Sequence, residues 1–589
     1  MPRISARSTR YLGVLLALLP LCAAQAGIEI LIPEATEPVQ NNIRAFLSLT
    51  RYAERDDVTQ ETMSRLQRRI VSETRAALEP LGYYEPEVTY ETAHEGDNWR
   101  VTIHVKPGRP VRLSEVSVTV VGPGGHERAI QEIVELQDLK PGLRLNHGTY
   151  EHVKGALLRA AKNDGYLDAR LTKNDLIIDR QERRATATIE VDTGKRYSYG
   201  TINVAQDVIN DESMRRLLRM KEGDPYTLDS LLRTQYVLDD SQYFATVNIE
   251  TGTVDRAALT VPVTVSAEPN RRHRFATSLG YGTDTEVRGK FTWDNRRVNT
   301  AGHRFKLELL GSSIIKSLGA RYVIPVMDVA LEKLEFTGNI VEEEIGDTES
   351  QRAEVGSGLT QVQGRWQRVL FVRLSNETTT EGDGSRNTAF YVFPGISYST
   401  LPSYIVGGKP RPYRVYFELR GSPTTLGSDA SFVQFRFQGE RIFNFAERWH
   451  LDLRAELGTT RLDSGRPAAE EILDLPASQR FFAGGDRSVR GFSLNELAPR
   501  DENGDSIGGK HLATGTIEVV RDLPRNFGVA AFYDIGNAFD DFADPQFEYS
   551  VGLGVRYSIA VASFGIDVAQ PISESGRNPR FHLYISTQF

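Results

Sequence analysis

Trp449-His450-Leu451-Asp452-Leu453-Arg454-Ala455-Glu456-Leu457 alternates without a break between apolar and polar side chains. Successive residues of a strand point to opposite faces of its sheet, so this segment has one apolar face and one charged face. A second segment repeats the pattern, with Tyr413, Val415, Phe417 and Leu419 set against Arg414, Tyr416, Glu418 and Arg420. From Arg272 onward the helical period disappears, and segments of about ten residues alternate in this way between turns rich in Gly, Asp, Asn and Ser. Such alternation fits a soluble sandwich, which buries the apolar face, or a membrane barrel, which turns it to lipid. Charge along the polar face, aromatic residues near strand ends such as Trp449 and Tyr281, and an export leader favour the barrel. The 318 residues from Arg272 to Phe589 hold about sixteen such segments; at roughly ten residues per crossing these use about half the region and leave the rest for turns and loops.

The leader is read from Arg3, Arg7 and Arg10, the apolar run Tyr11 to Ala23, and the small-x-small sequence Ala24-Gln25-Ala26. Residues 1–26 are therefore expected to be a signal peptide. The single cysteine, Cys22, falls inside it behind the bulky Leu21, which argues against an acylated N-terminus and leaves no thiol chemistry beyond the leader. No later apolar run reaches the length of a helical membrane span. The 40% hydrophobic content and mean hydropathy of −0.36 suit a barrel, whose strands are apolar on alternate residues only. A net charge of −8 over 589 residues argues against a nucleic-acid surface.

From Gly27 to about Pro269 helical and strand patterns mix in three loosely similar units, with expected boundaries 27–108, 109–195 and 196–271. Each reads as an opening strand, two helical stretches, a turn and two closing strands. The turns are Leu81-Gly82-Tyr83-Tyr84, Asp164-Gly165-Tyr166-Leu167 and Ser241-Gln242-Tyr243-Phe244. The closing strands echo one another around Val105, Val191 and Val265, a spacing of roughly eighty residues that suits small α+β modules. Gly142 and Gly223 each precede a helical pattern and read as the end of one element before the next.

The longest loop of the barrel region, about 459–510, contains Phe481-Phe482-Ala483-Gly484-Gly485-Asp486-Arg487-Ser488-Val489-Arg490-Gly491-Phe492. The strands after it can be read by parity. Ala513, Ile517 and Val519 take the lipid face, which puts Thr514, Thr516 and Glu518 in the lumen; Phe527, Val529, Ala531, Tyr533 and Ile535 do the same for Phe532, Asp534 and Gly536. Glu518 and Asp534 thus project inward from adjacent strands. An arginine can satisfy two carboxylates with its planar fork of donors, so Arg490 is expected to latch the loop inside the barrel against them. On parity alone the alternative stays open that both carboxylates are solvated pore residues and Arg490 lies on the surface.

Val489-Arg490-Gly491-Phe492, the preceding Gly484-Gly485-Asp486, and Phe532-x-Asp534-x-Gly536 resemble the signature motifs of the BamA and TamA family of outer-membrane assembly factors. The resemblance implies α+β periplasmic modules of the POTRA type followed by an all-β sixteen-stranded transmembrane barrel in the outer membrane of a Gram-negative bacterium. It also implies that the loop arginine pairs with acidic residues on lumenal strands, here Glu518 and Asp534. Three modules are most similar to the TamA branch. That branch implies insertion or secretion of autotransporter-type proteins with a large TamB-like inner-membrane partner, in contact with outer-membrane lipid. Two alternatives remain at this point: a two-partner secretion pore for one exoprotein, and the outer-membrane end of a TamB-linked lipid transport system.

The last strand, Arg580 to Phe589, alternates Phe581, Leu583, Ile585 and Phe589 against His582, Tyr584, Ser586 and Gln588, and its terminal aromatic resembles the recognition signal of such barrels. It must meet the first strand, near Phe275, Leu279 and Tyr281, to close the barrel. In related proteins that seam is weak; Gly280 leaves little side-chain packing there and is expected to weaken it. An opened seam exposes backbone groups that a client strand can satisfy by strand addition. No enzyme, metal or cofactor is expected. Gly504-Asp505-Ser506-Ile507-Gly508 lacks the strand and helix of a nucleophile elbow, and the calcium-like start at Asp501 lacks Gly at position six and Glu at position twelve. The acidic run Glu342 to Glu344 reads as a surface loop.

Overall fold

The computed structural model describes residues 28–53, 55, 58–95, 98–401, 413–463, 472, 475–559 and 562–587. The leader at 1–26 and the terminal Phe589 lie outside the described residues. The chain divides into two compact units, one of residues up to 200 with 223–229 and 253–261, the other of 201–222, 230–252 and 262 onward.

The first unit contains two α+β modules. In the first, β1 (Ile28–Leu31), α1 (Glu37–Phe46), α2 (Gln60–Leu78), β2 (Glu87–Glu95) and β3 (Asn98–Lys106) form a sheet of order β1-β3-β2 beneath two helices. The spacing of Met63, Leu66, Ile70, Thr74 and Ala77 puts one stripe of α2 into the core, against Val101, Ile103 and Val105 of β3. Thr59 caps this helix, its hydroxyl accepting from the Thr62 N–H at 3.2 Å. The second module repeats the plan with β4 (Arg112–Val121), α3 (Arg128–Leu136), α4 (His147–Asn163), β5 (Arg170–Asp179) and β6 (Arg184–Asp192), in the order β4-β6-β5. A third sheet, β7-β9-β8, comes from β7 (Ser198–Ala205), β8 (Phe244–Thr251) and β9 (Thr260–Pro269), with α5 (Asp211–Leu217) and α6 (Leu228–Asp240) between β7 and β8. The turn glycines have a stereochemical reason. Gly82 and Gly165 sit at φ +85° and +91°, and a Cβ on Gly165 would lie 2.3 Å from the Tyr226 carbonyl oxygen. In the third turn Gln242 takes the left-handed conformation, φ 60°.

The second unit is dominated by one sheet of sixteen antiparallel strands in chain order. They are β10 (His273–Gly282), β11 (Glu286–Asn295), β12 (Arg304–Gly311), β13 (Ile315–Pro325), β14 (Glu332–Ile345), β15 (Thr348–Gln363), β16 (Trp366–Thr380) and β17 (Arg386–Thr400), then β18 (Tyr413–Ser422), β19 (Phe432–Ala446), β20 (Trp449–Leu462), β21 (His511–Asp522), β22 (Phe527–Phe539), β23 (Glu548–Ile559), β24 (Ala562–Pro571) and β25 (Arg580–Thr587). Parity separates the faces. Phe275, Leu279, Ile340, Val355, Leu457, Leu553 and Phe581 are exposed, while Glu377, Gln434, Glu518, Asp534, Asp567 and His582 are buried. A soluble sandwich would show the reverse, so the outward apolar face belongs to a barrel in lipid. No described helix is long and apolar enough to cross a membrane, which says nothing of strands.

Two sequence expectations need correction. Glu342 to Glu344 are not loop but the end of β14, which runs on because Glu342 pairs with Lys316 (2.7 Å) and Glu343 with Arg352 (2.8 Å) on the flanking strands. The long loop begins at residue 463 rather than 459, since the β19-β20 ladder continues to Phe432–Leu462.

Candidate functional site: a loop held in the lumen

The loop between β20 and β21 folds back on itself before it reaches the barrel wall. Phe481 and Gly509 exchange backbone hydrogen bonds at 2.9 and 2.8 Å, as do Ala483 and Leu497 at 2.9 and 3.0 Å. Phe481, Ala483, Val489, Phe492 and Leu497 then pack with Leu512 and Ala538 as a small apolar core. Gly484 and Gly485 (φ +101° and +94°) shape the turn, and Gly491 lets the chain pass where a Cβ would lie 2.8 Å from that of Ser550.

This fold delivers Arg490 to the wall of β21–β25, where it is 1% exposed. Its Nε and Nη2 donate to the two oxygens of Asp534 at 2.8 and 2.9 Å. Nη1 donates to Glu518 Oε2 at 2.8 Å and to Asp567 Oδ2 at 3.1 Å. Four of the five guanidinium N–H groups are thereby used. The cation also lies over the Phe532 ring, 3.2 Å from its centroid. Asp534 further accepts from the Arg490 N–H, Thr516 Oγ1 and Ser550 Oγ at 3.2, 2.9 and 3.3 Å. Buried charge at this density is tolerated only when it is balanced. Glu518, Asp534 and Asp567 face Arg490, Arg556 and Arg454: Arg556 reaches Glu518 Oε1 at 2.8 Å and forms a close pair with Asp567, and Arg454 Nη2 lies 3.4 Å from Glu518.

The structure brings Val489, Arg490, Gly491, Phe492, Glu518, Phe532 and Asp534 together; Gly536 lies along β22, where a Cβ would meet the Ala513 carbonyl oxygen at 2.7 Å. The sequence reading missed Asp567, Arg556 and His582, whose Nε2 donates to the Arg490 carbonyl at 2.6 Å. Parity on β24 and β25 carries the signal, because Asp567 and His582 are lumenal and directly opposite each other. A second anchor was also missed. Arg480, at the entrance of the loop, pairs with Glu381 at 2.8 Å, and Ser478 N–H and Oγ donate to the buried Glu377 at 3.1 and 2.5 Å.

The first and last strands are the ends of the sixteen-stranded order and share no ladder. Among the described residues, one backbone hydrogen bond joins the two sides, Thr283 N–H to the Leu583 carbonyl at 3.4 Å. Phe275, Leu279, Phe581 and Leu583 face outward along this seam, and Ile585 carries the contact from Arg288, whose Nη2 donates to its carbonyl at 3.1 Å. Gly280 does more than thin the packing: a Cβ there would lie 2.8 Å from Arg288 Nε, so glycine makes room for this cross-seam arginine.

Comparison with known proteins places this geometry. The model of the Omp85 superfamily domain matches residues 224–589, more than half of the chain, and the model of POTRA domain TamA domain 1 matches residues 34–107. An outer membrane protein assembly factor BamA of Nitratidesulfovibrio vulgaris is 24% identical over 63% of this chain and 48% of its own length. A SAM50-like protein of Schizosaccharomyces pombe is 26% identical over 33% of this chain and 42% of its own. The chain spans about half the length of the curated relatives it matches. Among solved structures, BamA from Haemophilus ducreyi lacking POTRA domains 1–3 superposes with a TM-score of 0.62 at 14% identity, covering 81% of this chain and 99% of that one.

Proposed function

Because the chain belongs to the Omp85 superfamily, with a barrel in the outer membrane and POTRA modules in the periplasm, we propose that it is the outer-membrane component of a translocation and assembly module. Its clients are autotransporter-type proteins, and its partner is a large TamB-like inner-membrane protein. The observation that carries this reading is the seam. Among the described residues every other neighbouring strand pair of the barrel is joined by a ladder, whereas β10 and β25 share none and are joined by a single backbone hydrogen bond. Unpaired strand edges template new strands, so an incoming client can pair with β10 or β25 as they part. The work is strand exchange and needs no catalysis, metal or nucleotide. The TamA-type first module supports this branch over the general assembly factors.

Photo-crosslinking from the first module in intact cells tests the proposal. Arg51, exposed on that module, is the better position; Arg44 is tied down by its hydrogen bond to the Ile30 carbonyl at 2.6 Å. Capture of a large inner-membrane protein is the expected result. Capture of outer-membrane lipoproteins, or of one secreted exoprotein, would move the chain to another branch of the superfamily.

A further inference from the structure

The latched loop touches both sides of the seam. On one side, the Asp486 N–H donates to Asp284 Oδ2 at 2.8 Å, in the turn after β10. On the other, His582 of β25 donates to the Arg490 carbonyl, and Arg580 Nη1 donates to Ser493 Oγ at 2.7 Å. Asp284 and His582 also face each other, with Oδ1 and Nδ1 3.9 Å apart and both side chains buried. That separation is too long for a hydrogen bond, and among the described residues Nδ1 has no hydrogen-bond partner. The hydrogen bonds that link the two seam residues therefore run through the loop. Gly485 makes the close approach possible, since a Cβ there would sit 2.8 Å from Asp284 Oδ2.

We infer that Asp284 and His582 are positioning residues that turn the loop into a clasp over the seam. Among the described residues the seam has one backbone hydrogen bond, Thr283–Leu583, and one from the Arg288 side chain to the Ile585 carbonyl, and the Asp284–Asp486 and His582–Arg490 bonds add a second route across it through the loop. For β10 and β25 to part, the loop must first release Asp284 on one side, or its bonds to both His582 and Arg580 on the other. The clasp deepens the seam reading and takes its biological meaning from it; the test reads opening alone, with no client present, so each can fail without the other.

Gly282→Cys in a Cys22→Ser background provides the probe. Gly282 is buried, and a Cβ there lies 3.9 Å from the Leu583 carbonyl oxygen. In outer-membrane vesicles its alkylation by an impermeant maleimide is proportional to the open population. Asp284→Ala and His582→Ala are expected to raise the rate roughly three- to tenfold each, the effect of one lost net hydrogen bond. Asp284→Asn keeps the acceptor and His582→Gln keeps a donor, so both are expected to stay near the parent rate. Alanine rates equal to the parent, or Asn and Gln rates as high as alanine, overturn the clasp. Retention of heat-modifiable gel migration checks that each variant is folded. Hydrogen exchange on the unsubstituted chain decides independently of any variant: amides of the 283–285 turn, the loop and β25 should open together, and a turn opening more than about tenfold faster than the loop overturns the inference.

Discussion

Arg490 cannot be replaced by another cation. Its fork serves two oxygens of Asp534 and one each of Glu518 and Asp567 at once, whereas an ammonium is a point donor that cannot hold all three carboxylates in one plane. Arg490→Lys should therefore behave much like Arg490→Ala, losing on the order of 3 kcal/mol of latch stability because carboxylates are left buried and underpaired. Limited proteolysis between residues 481 and 500 checks this: the variants should be cut in the loop while the barrel keeps its heat-modifiable migration. Gly552 is a second sensitive point. A Cβ there would stand 2.1 Å from Phe532 Cζ and 2.4 Å from the Val568 carbonyl oxygen, so the ring under the guanidinium must move. Gly552→Ala is expected to weaken the latch by about 1–2 kcal/mol through the lost cation–π contact, read as faster cleavage at the same loop sites. Glu518 and Asp534 were legible in the sequence because lumenal parity needs only a strand and its neighbour. Asp567 and His582 have the same parity, but their convergence on Arg490 depends on the register of four consecutive ladders, which no local pattern carries.

At the scale of elements, the joint between the first two modules contains a titratable pair. The Tyr84 hydroxyl, just past the first turn, and His147 Nε2, at the start of α4, share a hydrogen bond of 2.6 Å. Burial holds the His147 proton affinity below its ordinary value and pushes the Tyr84 phenol up to about 12. A depressed histidine binds fewer protons when folded than when unfolded, so stability rises with pH through this window. The contribution is complete above about 6.5, the unfolded value, and is lost as pH falls towards the lower folded value. Corrected for the intrinsic pH dependence of exchange, protection of the amides across residues 82–84 and 147–150 should fall between pH 7.5 and 5.5, and His147→Gln should flatten that response. An unchanged profile in His147→Gln would assign the effect to another group. The modules themselves were legible because their turns need particular backbone angles: glycine at 82 and 165 marks the left-handed positions. The third turn was harder to read. Gln242 accepts the left-handed strain and uses its side chain to receive a hydrogen bond from Arg304 at 3.2 Å, so a contact replaces the glycine signal.

For the barrel as a whole, alternation over about sixteen segments was enough to specify an antiparallel sheet, but parity alone left sandwich and barrel equal. What separates them is a whole-molecule property, apolar side chains outward and ion pairs inward around the full circuit. The seam is another such property, invisible in either strand: β10 and β25 alternate like their neighbours and differ only in what they pair with. If the single Thr283–Leu583 bond is extended as an antiparallel register, Tyr281 falls opposite Ile585, both on the outward face. Tyr281→Cys with Ile585→Cys is then expected to form a disulfide whenever the two strands close to pairing distance, which locks the seam shut. The locked barrel should fold, keep its latch and lose the proposed client insertion, with that activity returning on reduction. Each single cysteine variant should remain active. Because the bond adds nothing to the lumen or to the modules, a locked barrel that still inserts clients would mean that they pass through the lumen instead of across β10 and β25, and strand exchange at the seam would have to be abandoned.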